Sequence, residues 1–179
     1  MGGTGMKRRS GLLAALALAA LAFPTGAQAQ GNEAHYRLVV VLQHGSPMSG
    51  QGTFIDDADI GRDGDARTFS SVQAFTADAA HPELNAVVYL RVGMRVNCAT
   101  RMLETLRFTG YAEDGRIVRD GPSTLAPVQV PPESSGAAMV NYVCEGRLDP
   151  AMARVRPLTL PELLDAARRI RNGEAGTQR

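Results

Sequence analysis

The chain has 179 residues, of which 21% are charged and 44% hydrophobic. This length and composition fit one globular domain and exclude collagen-like, coiled-coil and wholly disordered chains. Nineteen basic residues against 18 acidic ones give a formal net charge of +1, and this neutral balance argues against a dedicated nucleic-acid-binding protein, which carries a basic field.

The first 29 residues have the layout of a secretory signal peptide. A basic stretch at 7–9 precedes an apolar run at 11–23, and the small residues of Ala27-Gln28-Ala29 suit a signal peptidase. The run is too short to span a bilayer, which needs about 20 residues; an N-terminal anchor that is never cleaved is the alternative. We therefore expect a mature chain of residues 30–179 that is periplasmic or secreted, soluble and without a transmembrane segment.

Removing this leader changes the charge of the protein. It takes away one Lys and two Arg but no acidic residue, which leaves 16 basic and 18 acidic residues and a net charge of −2. A faintly acidic mature chain weakens any interpretation based on general attraction to nucleic acid or anionic lipid. We expect a protein partner rather than nucleic acid, and the sequence indicates no cofactor.

Cys98 and Cys144 are the only cysteines in the chain. In an exported protein an even number is interpreted first as a disulfide, and closing a loop of about 47 residues contributes roughly 4 kcal/mol in the chain-entropy model. A reactive thiol or a metal site is the alternative. It has little support, because the chain has no Cys-x-x-Cys motif and neither cysteine has a histidine close in sequence.

The first half of the mature chain predicts three strands. A β-branched apolar run at 36–42 is typical of a buried strand, and 52–56 and 67–75 indicate a second and a third. The acidic, glycine-containing stretch 56–65 predicts a turn, and 77–85 predicts a loop or a short helical turn.

The clearest pattern is the alternation along residues 87–98. Every second position is apolar and the positions between them are mostly polar, which predicts a strand with one face towards the core. The apolar positions are Val88, Leu90, Val92, Met94, Val96 and Cys98. This alternation puts Cys98 on the core side, which suits a buried disulfide.

A hairpin is predicted next. The stretch 102–111 predicts a strand with Leu106 and Phe108 facing inward, and the Glu-Asp-Gly that follows soon after it is a hairpin signal. The returning strand is expected to start at 117–118, and 125–130 is a candidate continuation of it.

A helix is predicted before the second cysteine. Ser134 or Ser135 is a candidate N-cap for a helix that runs to Cys144. A strand over residues 137–144 is the alternative, and the helix is favoured.

A further helix is predicted in the C-terminal segment. Thr159-Leu160-Pro161-Glu162 matches a capping box with Pro in the first turn, and apolar residues at helical spacing follow it as far as Ile170. We assign residues 30–148 to one domain and 149–179 to a C-terminal helix and tail.

Several short motifs follow one another over residues 35–146. They are Thr53-Phe54-Ile55-Asp56 leading to Ile60, the Gly61-Arg62-Asp63-Gly64 turn, Val96-Asn97-Cys98-Ala99, a strand ending at Tyr111 with the Glu113-Asp114-Gly115 turn, and Asn141-Tyr142-Val143-Cys144. In this order, and with its two cysteines, the chain resembles the bacterial surface-adhesin protein E-like family.

The resemblance implies an α+β fold: an antiparallel sheet of about six strands with a helix tethered to it by a Cys98–Cys144 disulfide, here with a further C-terminal helix. It also implies a non-catalytic binding protein and not an enzyme. The adhesin that names the family binds host extracellular-matrix proteins as a surface lipoprotein. This chain departs from that pattern, since no cysteine lies near the predicted cleavage site and residues 150–171 add a helix without a counterpart.

Metal and catalytic sites find little support in the sequence. The densest carboxylates are Asp56, Asp57, Asp59, Asp63 and Asp65; they fail the EF-hand order of a calcium loop, and a solvated turn is the simpler interpretation. The same carboxylates as a glycosidase pair would lack aromatic platforms in a chain without Trp. A zinc site would need His35, His44 and His81 to meet in space, and no Gly-x-Ser-x-Gly elbow is present.

The polar face of the alternating strand is a candidate partner-binding patch. It would combine Arg91, Arg95 and Tyr89 of that strand with Arg107, Arg116 and Arg119 of the predicted neighbouring strands. Such an arginine-bearing patch suits an acidic protein partner, because Arg and Tyr are enriched where interfaces gain their binding energy. Ordinary solvated charge on an exposed sheet is the alternative.

We therefore expect a non-catalytic exported protein that binds a protein partner through its surface. Two alternatives stay open. An envelope inhibitor or accessory subunit would show an exposed apolar patch on the final helix or on a sheet edge. A small exported hydrolase would show a concave pocket with convergent polar groups such as His44 and a carboxylate.

Overall fold

A computed structural model describes residues 33–41, 52–74 and 86–172 of the chain. The predicted signal peptide, the predicted loop at 77–85, His44, His81 and the tail beyond Asn172 lie outside the described residues. Within the described ranges the fold is α+β, as the sequence and the resemblance predict.

One antiparallel sheet contains every strand of the described residues. Its central path runs β1-β2-β4-β5-β6-β7, while β3 pairs with β4 and β8 pairs with β6. The strands are β1 (Tyr36–Val41), β2 (Gly52–Asp56), β3 (Gly61–Asp63), β4 (Ala66–Ala74), β5 (Tyr89–Asn97), β6 (Met102–Tyr111), β7 (Ile117–Pro122) and β8 (Val128–Gln129). The expectation of about six strands therefore holds for the central path, and two short strands add to it.

Three helices follow the sheet in the described part of the chain: α1 (Ser135–Glu145), α2 (Pro150–Ala153) and α3 (Leu160–Arg171). Ser134 is the N-cap of α1, and its side chain accepts a hydrogen bond from the Ala137 amide. Gly146 ends α1 in the left-handed conformation at φ 70°, which glycine adopts without steric cost. The favoured helix is confirmed, and the alternative strand over 137–144 is wrong.

The α1 face of the sheet carries the larger core. We call this side the α1 face because α1 packs on it, and Val92, Met94 and Val96 of the central strand point towards it. Val140 and Val143 of α1 are buried against them, and burying such a side chain stabilises a fold by about 2 kcal/mol. The Cys98–Cys144 disulfide ties the end of β5 to the end of α1 at the rim of this core.

The opposite side, which we call the α3 face, is covered in part by the C-terminal helix. Leu163 of α3 is fully buried against Tyr36, Phe54 and Val72, and a smaller cluster of Ala74, Ala167 and Ile170 continues the contact. The helix is anchored by the backbone as well: Tyr36 and Leu158 exchange two hydrogen bonds of 3.0 and 2.9 Å along the free edge of β1.

The capping box of α3 is present as predicted. The Thr159 side chain accepts from the Glu162 amide, and the Glu162 carboxylate accepts from the Thr159 amide at 2.9 Å. Arg156 also donates a hydrogen bond to the Glu162 carboxylate. The first turn of α3 is therefore capped by residues of its own segment, without a contact from the sheet.

The alternation of β5 is confirmed, with one correction at its start. The described strand begins at Tyr89, and Val92, Met94 and Val96 are buried while Arg91 and Arg95 are exposed. Val87 is buried in the core, whereas Val88 packs towards Ala167 and Ile170 on the α3 face. The prediction that Val88 lies on the core side is therefore wrong, because these two residues precede the regular strand.

The inward orientation of Leu106 is also wrong. The pairing of β5 with β6 jumps between Gly93–Arg107 and Met94–Thr105, which leaves Leu106 as the extra residue of a β-bulge. Leu106 is exposed, while Leu103 before the bulge is buried. Strict alternation therefore fails at this position of β6.

The acidic stretch 56–65 is not simply a solvated turn. Asp56 ends β2 and is 5% exposed, residues 57–59 form a single 3-10 turn, and β3 then pairs with the start of β4. Only Gly64 and Asp65 form the tight connection between β3 and β4. Pairing with β4 places residues 61–63 of this polar stretch in the sheet.

Candidate functional site

The uncovered part of the α3 face is the candidate site. The side of β5 that carries Arg91 and Arg95 also carries Gly93 between them, and Arg107 and Thr109 of β6 lie directly across from Gly93 and Arg91. We call these five residues the open face. The described helices leave its arginines at the surface, because α1 packs on the other side and α3 covers the sheet around Phe54 and Val72.

Arg91 belongs to a polar cluster at one side of the open face. Its Nη2 atom lies 3.5 Å from an oxygen of Asp56 and 3.5 Å from an oxygen of Asp59. His35 Nδ1 lies 2.7 Å from the other oxygen of Asp56, and Ser70 donates a short hydrogen bond to Asp59. The buried Asp56 carboxylate is thus shared by a histidine and an arginine, which compensates its burial.

Three tyrosines lie near Arg91. Tyr89 stacks on Tyr111 with ring centroids 4.7 Å apart, and Tyr36 is buried under α3. Burial raises the pKa of the Tyr89 phenol, and the nearby Tyr111 phenol raises it further. Burial likewise raises the pKa of Tyr36, with the Asp56 carboxylate as the next cause. Tyr89 is therefore a half-buried neighbour of α3 rather than a fully exposed contact residue.

Arg107 is held in place on the open face by a carboxylate. Its Nε donates to Asp120 of β7 at 2.9 Å and its Nη2 donates to the second oxygen, while the Thr109 hydroxyl donates to the same carboxylate at 3.0 Å. These hydrogen bonds, first that from Arg107, lower the pKa of Asp120. Because the pair is exposed, it fixes the direction of the guanidinium more than it adds stability.

The remaining arginines are placed differently. Arg95 is exposed and has no ion pair within the described residues; Glu104 is its partner in register on β6. Arg116 lies in the hairpin before β7 and contacts Asp114 at 3.7 Å, away from the centre of the open face. Arg119 lies over the Phe108 ring at 5.6 Å, on the other side of β7 from Asp120. The structure thus brings together Arg91, Arg95 and Arg107 of the predicted patch.

The two cysteines form the predicted disulfide. Cys98 and Cys144 are joined with Cα atoms 5.6 Å apart across a separation of 46 residues, a distance within the ordinary range for disulfides. Among the described residues no cysteine is free.

The described ranges contain no assembled metal-ligand cluster, and the hydrolase alternative stays a prediction, because its candidate His44 lies outside them. No group of three or more His, Cys, Asp or Glu within residues 33–41, 52–74 and 86–172 is placed to hold a metal ion. A cleft of about 520 Å³ between the end of α3 and the β6–β7 hairpin is lined by Ala86, Val88, Ala112, Glu113, Asp114, Arg168, Arg171 and Asn172. Its lining includes the carboxylates of Glu113 and Asp114 and the guanidiniums of Arg168 and Arg171.

Sequence reasoning missed the His35–Asp56 pair and the role of Gly93. His35 and Asp56 are 21 residues apart and meet only because β1 pairs with β2. Gly93 interrupts an otherwise charged polar face, and this interruption in the 87–98 pattern was the signal that could have singled it out.

None of the helices in the described parts of the chain has the length and apolar character to cross a membrane.

Comparisons with known proteins place these features in context. A family model described as surface-adhesin protein E matches residues 41–145. No curated protein sequence matches the chain significantly. Two crystal structures of Haemophilus influenzae protein E are similar to this chain. The first is 15% identical, covering 65% of this chain and 92% of that one with a TM-score of 0.43; the second is 17% identical, covering 67% and 93% with a TM-score of 0.40.

Proposed function

Because the chain belongs to the surface-adhesin protein E family over residues 41–145, we propose that it is an exported, non-catalytic protein that binds a protein partner through the open face. The proposal makes it periplasmic or secreted, which is supported by the leader-like first 29 residues and by a disulfide, a bond that persists in oxidising compartments.

The observation that carries the proposal is one uncovered sheet face with three arginines. Arg91, Arg95 and Arg107 lie on neighbouring positions of β5 and β6 inside the family-matched range. Arg107 is bonded in a fixed direction by Asp120, so its guanidinium is ordered before any partner arrives. An ordered arginine loses less conformational entropy on binding than a free one, which favours a role in recognition.

The arginines also limit what kind of partner fits. Asp56 and Asp59 flank Arg91, Asp120 pairs with Arg107, and Glu104 lies across from Arg95. This face is therefore close to balanced in charge and does not present a strong positive field. It suits specific contacts with a protein surface better than bulk attraction to a polyanion.

An affinity capture with the mature chain, residues 30–179, tests the proposal. Extracellular-matrix proteins and an envelope extract serve as the two sources of partner. Arg95→Glu is the informative variant, because Arg95 has no ion pair within the described residues that its reversal would break. The repulsion it creates with Glu104 across the strands costs about 1 kcal/mol or less. Arg91→Glu is unsuitable, because a carboxylate there would face the buried Asp56.

Arg154→Glu is the matched control. Arg154 is also an exposed arginine, but it lies beyond α2 and outside the family-matched range. We expect saturable capture of a partner by the wild type and by Arg154→Glu, and weaker capture by Arg95→Glu. Equal capture by all three forms would remove the open face from the proposal.

A second candidate function is supported by the opposite end of the sheet. Ile117, Leu125 and Val128 are more than half exposed on and between β7 and β8, and exposed apolar side chains at a sheet edge suit docking on another protein. An accessory subunit or inhibitor of an envelope protein would use this edge. Leu125→Glu would then abolish the capture that Arg95→Glu leaves intact.

A further inference from the structure

Gly93 leaves a hollow in the middle of the open face. It lies between Ser70 of β4 and Arg107 of β6 in the register of the sheet. A Cβ atom built on Gly93 would meet one heavy atom of the described residues within 4 Å, the Arg107 carbonyl oxygen at 3.9 Å. Ser70 beside it is small and buried, so it adds no bulk above the sheet at this point.

The packing of the sheet does not require this glycine. Gly110 on β6 is different, because a Cβ there would lie 3.2 to 3.4 Å from Val87, Leu90 and Arg119 side-chain atoms. A glycine inside a strand loses side-chain packing and costs backbone entropy. A strand glycine marks either a bulge or a site where another molecule approaches the backbone closely. The pairing of β5 with β6 does shift beside Gly93, and the open space above Gly93 fits the second role as well.

Arginine side chains border the hollow along its strand. Arg91 and Arg95 stand two residues before and two residues after Gly93 on the same side of β5. Their Cα atoms are about 13 Å apart at the usual rise of a strand, which lets two long guanidinium side chains flank a group above the glycine. Arg107, which is paired with Gly93 on β6, borders the hollow on the neighbouring strand.

The donors of Arg91 and Arg95 are not fully used. Arg95 makes no ion pair within the described residues, and the contacts of Arg91 to Asp56 and Asp59 are both long, at 3.5 Å. Arg107 differs, because Asp120 occupies two of its donors. The group that complements two guanidiniums with spare N–H donors is a carboxylate, which accepts charge-assisted hydrogen bonds from both.

We propose that an acidic side chain of the protein partner enters the hollow above Gly93 and is bound there by Arg91 and Arg95. This inference rests on the proposed binding function and specifies the chemistry of its contact. A carboxylate on a short side chain approaches the sheet closely only where no Cβ stands in the way, which gives Gly93 its role.

Two valine substitutions distinguish the effect of filling the hollow from the effect of changing the surface elsewhere. Gly93→Val fills it, and a β-branched residue suits a strand, so the fold is expected to be retained. Gly121→Val on β7 is the matched control, because a Cβ there meets no described atom within 4 Å and Gly121 is paired with Phe108 rather than with the open face.

The probes are two capped peptides, acetyl-Gly-Glu-Gly-amide and acetyl-Gly-Gln-Gly-amide, titrated into the mature chain and followed by amide NMR. We expect the glutamate peptide to shift the Gly93 and Arg95 amides saturably and the glutamine peptide not to do so. In Gly93→Val the dissociation constant should rise about tenfold or more, and in Gly121→Val it should not change. If Gly93→Val does not fold, Arg95→Gln replaces it with the same expected loss.

Three outcomes would each refute the proposal. They are equal saturable shifts of the Gly93 amide with both peptides, no shift of that amide, and an unchanged dissociation constant in the folded Gly93→Val variant. If a partner is captured in an Arg95-dependent way but neither peptide shifts the amides, the hollow does not bind a carboxylate. The proposed binding function would remain supported. A peptide response without a captured partner would support the hollow and count against the proposed function.

Discussion

Tyr142 of α1 donates a 2.6 Å hydrogen bond to the carboxylate of Asp57, 85 residues earlier in the chain. Arg37 Nε lies 3.6 Å from the other oxygen of that carboxylate. Burial raises the pKa of Tyr142 to about 12, and the hydrogen bond to Asp57 is the next cause. Helix α1 is therefore tied to the rest of the fold by this bond as well as by the disulfide.

Removing the Tyr142 hydroxyl tests the first of these ties. We expect Tyr142→Phe to lower the free energy of unfolding by about 1 kcal/mol at pH 7, because one side-chain hydrogen bond is lost while Arg37 stays beside the other Asp57 oxygen. Urea unfolding followed by circular dichroism measures the change. A variant as stable as the wild type would show that the bond adds nothing.

The same residue predicts a loss of stability at alkaline pH. A phenol whose folded-state pKa is raised to about 12 from the ordinary 10 contributes stability that is fully present below pH 10 and is lost as the pH rises towards 12. Tyr142→Phe should lose less stability than the wild type across this window. A smaller slope should persist in the variant, since the pKa values of Tyr36 and Tyr89 are raised too.

The disulfide is expected to stabilise the fold by several kcal/mol. With a sequence separation of 46 between the two cysteines, the Cys98→Ala/Cys144→Ala double variant should lose about 4 kcal/mol, mainly because the unfolded chain gains freedom. Thermal unfolding of oxidised, reduced and double-variant protein measures it. Thiol titration of the unreduced, denatured chain should find no free thiol, and two free thiols would contradict the bond.

Leu163 tests whether α3 is an integral layer of the fold. Its side chain is fully buried between α3 and the sheet, so Leu163→Ala should cost about 2–5 kcal/mol through lost burial and the cavity that remains. Leu125→Ala is the control with the same chemical change, because Leu125 is 71% exposed. Equal, small effects of the two substitutions would show that α3 is not firmly packed.

Glu162 predicts how the C-terminal helix responds to acid. Hydrogen bonds, first from Arg156 and then from Thr159, lower its pKa from the ordinary 4.5 to about 2. A carboxyl with a lowered folded-state pKa contributes stability that is present above pH 4.5 and is lost as the pH falls through 2. The acid-induced loss of helical signal should therefore be smaller in Glu162→Gln than in the wild type, and equal losses would contradict the assignment.

Local pattern accounts for much of the fold that was predicted. The alternation along β5, the Ser134 cap of α1 and the capping box at Thr159 are confirmed because each depends on residues within a few positions of one another. The pairing of Cys98 with Cys144 is confirmed because the chain contains just two cysteines, which leaves a single intramolecular bond to form. Neighbouring residues favour the strand alternation and the helix caps before any tertiary contact exists, whereas the disulfide forms only once its two ends meet.

The failures of prediction have a different cause. Leu106 is exposed because a bulge in β6 shifts the register against β5, and Val88 turns to the α3 face because the regular strand starts one residue later. The stretch 56–65 contains a strand because β4 supplies a partner for it. Register and pairing depend on two strands at once, so the pattern of one strand cannot determine them.

For the candidate site, the sequence by itself determined that Arg91 and Arg95 share the polar side of one strand, because side chains alternate along it. Only the tertiary structure decided that Arg107 joins them while Arg116 and Arg119 do not. It likewise decided that Asp56 and Asp59 lie beside Arg91. It also decided that α3 covers Tyr89 and leaves Gly93 open. These outcomes follow from where distant segments pack, and packing acts between residues that are far apart in the chain.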